Sequence, residues 1–370
     1  MEARTGLGLA RNLFLREARE ALYLRTGWNL TRPSDIKITL TDRCNYRCQY
    51  CNHWSRETYR DELDFAQWRD IVDQLRAFLG RFVIQFSGGE PMLSPAFLPL
   101  VTHCRVRGID WGLITNGSML RGRPLEQLVA ARPLNVDISV DSNRAGAHDR
   151  VRGIPGSLVR ITENLRALLA ARAASGQRFP VRIKPTVHAD NFDHLREIVD
   201  WAQEMDGGLL VDFSPVRLGE GEARDRLYVT GDNALARLDM EIEALIAMKA
   251  AGAPIETSVD KLRAIGAHFR GEPVRQGKAG CLVGLRTLDI RPDGRVNQCW
   301  RFRDSGDLRT EAPEALWART RRTIAAQALA CEHAETRRCG TACTAHRSFV
   351  QDVRRGLLYR NAGKSSPNSE

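Results

Sequence analysis

Thr41-Asp42-Arg43-Cys44-Asn45-Tyr46-Arg47-Cys48-Gln49-Tyr50-Cys51-Asn52-His53-Trp54 is the stretch on which the reading of this chain turns. It directly follows an apolar, partly β-branched run, residues 36–41, that reads as a first strand. Thiols separated by three and then two residues can converge on one small face of a loop. Thiolates hold iron–sulfur clusters, usually four to a cluster. With three, one iron keeps an open position that can take a substrate or cofactor. Spacing alone leaves zinc open too, with His53 as a fourth ligand, as well as three unrelated structural cysteines.

Outward from this loop the chain alternates. Apolar runs at 36–41, 82–87, 109–115, 135–140, 181–187 and 209–213 read as strands, with helical patterns between them at 65–79, 96–106, 125–131, 158–174 and 191–205. Six strands alternating with helices predict an α/β fold with a parallel sheet and right-handed crossovers. The pattern does not say whether the sheet stays open or curves into a partial barrel. Either way the functional edge lies at the C-terminal ends of the strands.

Before the first strand, residues 4–26 read as a basic amphipathic helix, with Leu9, Leu13, Ala18 and Leu22 close to one face that packs on the main domain. After the sixth strand, helices are predicted over 233–250 and 259–269. A hairpin follows, 285–290 and 295–298 around the turn Arg291-Pro292-Asp293-Gly294. The expected organisation is a helix over 1–32, the main domain over 33–230, linking helices over 231–272, a small cysteine-bearing domain over 273–360 and a disordered tail over 361–370.

The 370 residues carry a formal charge of +10, which favours an acidic partner in principle. No dense Lys/Arg run and no aromatics interleaved in a basic stretch support nucleic-acid binding, so a solvated Arg-rich surface is expected. No run approaches the ~20 apolar residues of a membrane span. No apolar signal segment stands at the start, and Glu2, Glu17 and Glu20 interrupt its arginines. The chain is therefore expected to be cytoplasmic. The nine cysteines, an odd number, read poorly as a disulfide framework and better as metal ligands. Cys104, in a helical pattern, reads as a core residue.

Cys44, Cys48 and Cys51, with Tyr50 as the aromatic before the last cysteine, resemble the three-cysteine signature of the radical S-adenosylmethionine (radical SAM) superfamily. Phe86-Ser87-Gly88-Gly89-Glu90-Pro91 ends the second strand and resembles the Gly-Gly-Glu segment that binds the SAM amino group in that family. Glycines admit close backbone approach, and a carboxylate pairs with an ammonium. The resemblance, good over about residues 33–220, implies a partial (β/α)6 TIM-like barrel, a [4Fe-4S] cluster on the three cysteines and SAM on the open iron. It makes Tyr50, Gly88, Gly89, Glu90, Asn116, Ser139 and Lys184 the expected SAM neighbours. Asp141 has the alternative of a loop or cap residue. The segment Arg182-Ile183-Lys184-Pro185-Thr186-Val187-His188 departs from the glycine-containing one usual in the family.

Cys281, Cys299, Cys331, Cys339 and Cys343, with Gly306-Asp307-Leu308-Arg309 and Leu316-Trp317, resemble the SPASM/twitch extension, which carries auxiliary clusters. A full SPASM domain has seven cysteines; five imply one auxiliary [4Fe-4S] cluster on Cys281, Cys299, Cys343 and either Cys339 or Cys331. The fifth cysteine is then a candidate hydrogen-atom donor, or joins His333 or His346 in an unusual site, and a structural zinc knuckle is the alternative for the region. The family implies reductive cleavage of SAM to a 5′-deoxyadenosyl radical and hydrogen abstraction from a substrate C–H bond. Oxidation, crosslinking or epimerisation of a ribosomally made peptide is expected. The expected partners are a flavodoxin- or ferredoxin-like electron donor and a separate leader-binding protein. The alternatives are a dehydrogenase or epimerase of a sugar- or aminocyclitol-type metabolite, and a non-catalytic metal scaffold with an RNA-binding surface.

Overall fold

The computed structural model describes residues 2–56, 61–205, 207–217, 226–272, 281–299 and 302–331, with side chains from Phe14 onward. In chain order the elements are α1 (Glu2–Thr26), β1 (Asp35–Thr39), α2 (Phe65–Leu79), β2 (Val83–Ser87), α3 (Phe97–Val106), β3 (Asp110–Thr115), α4 (Gly122–Ala130), β4 (Asn135–Ile138), α5 (Ala145–Arg152), α6 (Ser157–Ala174), β5 (Val181–Ile183), β6 (Thr186–Val187), α7 (Leu195–Glu204), β7 (Leu209–Val211) and β8 (Ser214–Pro215). They continue with α8 (Asp232–Ala250), α9 (Val259–Arg270), α10 (Val283–Arg286), β9 (Thr287–Ile290), β10 (Arg295–Asn297), β11 (Gly306–Asp307) and α11 (Pro313–Leu329).

Strands β1, β2, β3, β4, β5 and β7 lie side by side in that order, all parallel. These are the six strands of the alternating pattern, and the α/β class holds. The alternation of side chains along each strand explains the layering. In β1, Ile36 and Ile38 are buried while Lys37 is half-buried on the other face; in β2, Ile84 and Phe86 are buried and Gln85 is not. The apolar face lies under the helices. Helix α2 starts at a capping box between Asp64 and Gln67 and turns Trp68, Ile71, Val72 and Leu75 inward, one stripe at helical spacing. Burying each such side chain stabilises by about 1.5–3 kcal/mol. Phe86, Phe97 and Trp111 meet with centroids 5.9–6.1 Å apart and join β2, α3 and β3.

The structure departs from the sequence reading at several points. The run 181–187 is two strands, because Pro185 has no N–H to continue a ladder; β6 pairs instead with β8 in a separate two-stranded sheet. The hairpin is not hung beside the main sheet. β9 pairs parallel with β1, and β10 and β11 follow antiparallel, so the sheet has nine strands. β1 would otherwise present an open edge, and β9 satisfies its backbone groups. Helix α1 exposes Ala18 and Leu24. It is tied down by charge, with Glu20 accepting two 2.6 Å hydrogen bonds from Arg286 in a buried pair. Helix α5 was not foreseen, since its eight residues carry no apolar period. The tail over 361–370 lies outside the described residues. Among the described residues no helix is long and apolar enough to cross a membrane.

Candidate functional site

The cysteine loop leaves the C-terminal end of β1 and is clamped from two sides by backbone hydrogen bonds. From the end of β2, Gly89 N–H donates to Thr41 O and Glu90 N–H to Arg43 O, both at 2.8 Å. On the other side, Arg47 N–H donates to Arg152 O at 3.1 Å and Gln49 N–H to Val151 O at 2.9 Å, which joins the loop to the end of α5. Both contacts need glycine. A Cβ on Gly89 would stand 2.1 Å from Arg43 O, and one on Gly153 would stand 2.5 Å from Arg47 O. The glycines of the Gly-Gly-Glu segment thus let the cysteine loop itself approach.

Glu90, an expected SAM neighbour, has its carboxylate engaged by groups of the protein itself. Its carboxylate is fully buried and points into the protein. It accepts from Thr115 Oγ1 at 2.8 and 2.9 Å, from Asn116 N–H at 2.8 Å and from Met92 N–H at 3.2 Å. Three donors converge on it because β2 and β3 end side by side, so the carboxylate braces the Thr115-Asn116-Gly117 turn. Burial pushes the Glu90 carboxyl up to about 7, against the lowering effect of these hydrogen bonds. A carboxyl raised on folding contributes stability at pH below its unfolded value of 4.5, and that contribution is lost as pH rises through about 7. In the metal-free chain, stability should therefore fall by up to roughly 3 kcal/mol between about pH 5 and pH 8 more than it does in Glu90→Gln. Urea midpoints across that range check this, and equal slopes in the two proteins would reject it.

The braced turn returns to the cysteines. Asn116 Nδ2 lies 2.8 Å from Asn45 Oδ1 and 3.9 Å from Cys44 Sγ. Tyr46 N–H reaches the same sulfur at 3.4 Å. The loop's other end is held by a buried ion pair that sequence reasoning missed. Arg152 Nη2 donates to Asp141 Oδ1 at 2.9 Å, its Nε lies 2.8 Å from Oδ2, and its Nη1 lies 3.7 Å from Cys48 Sγ. Asp141 also accepts from the Tyr50 hydroxyl at 2.9 Å and from Thr186 N–H at 3.0 Å. Burial works to raise the Asp141 carboxyl, but Arg152, His188 and His148 outweigh it and hold it below the usual carboxylate range. Asp141 is therefore a hub, and Tyr50 is fastened to it. The one sequence signal for Arg152 is Gly153, which caps α5 in the left-handed conformation.

Ser139 is half-buried just beyond β4, with its N–H donating to Thr115 O at 2.9 Å, beside the braced turn. Lys184 belongs to another group. Its Nζ donates to Asp212 Oδ2 at 2.7 Å and lies 4.0 Å from Asp137 Oδ2, while Lys261 Nζ reaches Asp212 Oδ1 at 3.1 Å. Burial works to raise the Asp212 carboxyl, but the two lysines hold it well below the usual range. The structure thus gathers Cys44, Cys48, Cys51, Tyr50, Gly88, Gly89, Glu90 and Asn116 around one loop, sets Ser139 next to it, and commits Lys184 to a charge network. His53 turns Nδ1 to Asp42 Oδ1 at 2.5 Å.

Cys281 and Cys299 share a small apolar cluster with Val283, Ala328 and Phe302, apart from the main core. Cys331 stands just past the end of α11, its N–H donating to Ala328 O at 3.4 Å. Cys339, Cys343, His333 and His346 lie outside the described residues. Cys104 is fully buried in α3, as its helical pattern implied.

The first loop's donor set fits an iron–sulfur cluster. Its three cysteines are free, with Cys48 buried and Cys44 and Cys51 half-buried. Burial pushes the Cys44 thiol up to about 11, and the neighbouring Cys48, Glu90 and Cys51 add to the rise. Thiolates form in such a place when a cation shares it.

Comparison with known proteins agrees. Residues 38–202 match the model of the Radical SAM superfamily. The chain is 30% identical over 270 residues to the PqqA peptide cyclase of Gluconobacter oxydans, covering 72% of this chain and 70% of that protein. It is 26% identical over 293 residues to the AdoMet-dependent heme synthase of Methanosarcina barkeri, covering 77% and 82%. Streptococcus suis SuiB bound to precursor peptide SuiA is similar in fold with a TM-score of 0.62 at 15% identity, over 81% of this chain and 68% of that one. The structure of anSMEcpe with bound AdoMet is similar with a TM-score of 0.61 at 14% identity, over 89% and 99%. At these identities the two structures speak to the fold alone.

Proposed function

Because this chain belongs to the radical SAM superfamily, and is an enzyme of that family with its partial-barrel fold, [4Fe-4S] cluster and S-adenosylmethionine, we propose that it abstracts a hydrogen atom from a C–H bond of a ribosomally made peptide, leading to oxidation, crosslinking or epimerisation. The carrying observation is the cysteine loop at the C-terminal edge of β1, gripped by Gly89 and Glu90 on one side and by the end of α5 on the other. When bound, the cluster and SAM supply an electron and a carbon-centred radical able to take hydrogen from carbon. The chain's own residues do the rest. Cys44, Cys48 and Cys51 hold the metal, Glu90 and Asn116 fix the turn that faces it, and Asp141 locks Tyr50 beside it. A peptide substrate is supported by the identity to PqqA peptide cyclase. The electron donor is proposed to be of flavodoxin or ferredoxin type, and a separate protein is proposed to bind the peptide's leader.

We also propose that residues 273–360 form a twitch-like domain with one auxiliary [4Fe-4S] cluster, on Cys281, Cys299, Cys343 and either Cys339 or Cys331. The shared apolar cluster of Cys281 and Cys299 supports it. After anaerobic reconstitution, roughly eight irons per chain are expected in the wild type and roughly four in Cys299→Ala. Unchanged iron in that variant rejects the auxiliary site.

The function is tested by incubating the reconstituted protein with SAM, a reductant and a short peptide encoded beside its gene. The expected products are 5′-deoxyadenosine and a peptide altered in mass, or altered in stereochemistry at unchanged mass. An unchanged peptide with turnover of a sugar or aminocyclitol would favour the metabolite reading. Absence of 5′-deoxyadenosine under all these conditions would favour the metal scaffold.

A further inference from the structure

We propose that Arg152 is a positioning residue for the first cluster, a buried guanidinium that donates to the Cys48 sulfur and sets the charge balance of the site. The inference rests on the reading that Cys44, Cys48 and Cys51 hold that cluster. Among the described residues, two side-chain N–H groups reach the three sulfurs: Asn116 Nδ2, 3.9 Å from Cys44, and Arg152 Nη1, 3.7 Å from Cys48. Of the two, only Arg152 is charged.

Arg152 touches the loop at three points. Its Nη1 faces the Cys48 sulfur, its guanidinium carbon lies 5.4 Å from the centroid of the Tyr50 ring, and its carbonyl receives the Arg47 N–H. It is 5% exposed, and a cation so far out of water must use its donors. A structural ion pair would need Asp141 alone. The planar fork instead divides its donors between a carboxylate and a thiol, a geometry that lysine's single ammonium does not reproduce.

The electrostatic consequence has a definite sign. Reduction adds negative charge to a site that already holds three thiolates. A fixed cation beside one of them favours the reduced state, and hydrogen bonds to ligating sulfurs are among the factors that set cluster potentials. Arg152 therefore makes the cluster easier for the external donor to reduce.

The test is a potentiometric titration of the reconstituted protein, followed by electron paramagnetic resonance without SAM, so it does not depend on turnover. Removing Arg152 alone would strand Asp141, so the pair is deleted together in Asp141→Asn/Arg152→Met. Loss of the cluster from Cys44→Ala/Cys48→Ala/Cys51→Ala checks the underlying site separately. The double variant is expected to keep its iron and to shift to a more negative midpoint potential. Arg152→Lys, which keeps the charge, is expected to fall between it and the wild type. Iron lost from the double variant but kept in Arg152→Lys also supports the proposal, since the cation is then needed for assembly. A wild-type potential in the double variant overturns it. So does a lysine variant displaced as far as the double, or iron lost from both, because the effect then comes from repacking and not from charge.

Discussion

Gly89→Ala is expected to leave a folded chain that binds less than a tenth of the wild-type iron at its first site. The added Cβ would stand 2.1 Å from Arg43 O, 2.6 Å from Arg43 C and 2.6 Å from Asp42 O. All three are backbone atoms, so no side chain can swing aside. The Gly89 and Glu90 amides that grip Thr41 and Arg43 would be pushed off with them. Overpacking of this kind costs about 1–3 kcal/mol, less than the ~5–15 kcal/mol that holds a typical protein together. The chain escapes the clash by moving the cysteine loop. Cys44 directly follows the displaced residue, and a cluster needs all its thiolates in place at once. Gly146→Ala is the control, since a Cβ there meets nothing within 4 Å. Iron content beside the far-UV circular dichroism spectrum separates the outcomes. A Gly89→Ala protein with full iron would show that the loop's approach to β2 is not what positions the cysteines.

Cys48→Ala is expected to lower SAM cleavage by at least about a hundredfold, to the background of the reductant alone. Cys48 is the buried cysteine of the three, and its sulfur is the one that faces Arg152. Without it the cluster would have two cysteine ligands from this loop, and the guanidinium would face a gap the size of the missing sulfur. Cys104→Ala separates site from fold. That thiol is more deeply buried but sits on α3 in the core, so its removal costs about 1–2 kcal/mol of stability and leaves cleavage intact. The readout is 5′-deoxyadenosine formed per chain. Full cleavage by Cys48→Ala would remove Cys48 from the site, whatever its iron content.

Where the period of the sequence matched an element, the fold could be read from it. Helix α2 runs over Phe65–Leu79, as its apolar stripe implied, and β3 ends at Thr115. Failures came where tertiary partners override local pattern. Pro185 splits a run that looks continuous, and α5 has no apolar stripe because its work is done by Arg152 and the end of its backbone. The hairpin of β9 and β10 was legible as a hairpin, but its docking on β1 was not, because an open strand edge exists only after the other strands have assembled.

By itself the sequence determined the six alternating strands, the family, and the spacing of the three cysteines in the first loop. These depend on spacing along the chain and on periods of two and 3.6 residues, which a sequence carries directly. Only the tertiary structure decided what surrounds those cysteines. It turned Glu90 inward as a brace, gave Gly89 to the backbone of the cysteine loop, bound Lys184 to Asp212, and brought Arg152 to Cys48 across 104 positions of chain. The physical reason is that buried polar groups must find partners. Which partner each one finds is settled by the positions of all the strand ends together, and no local stretch of residues contains that information.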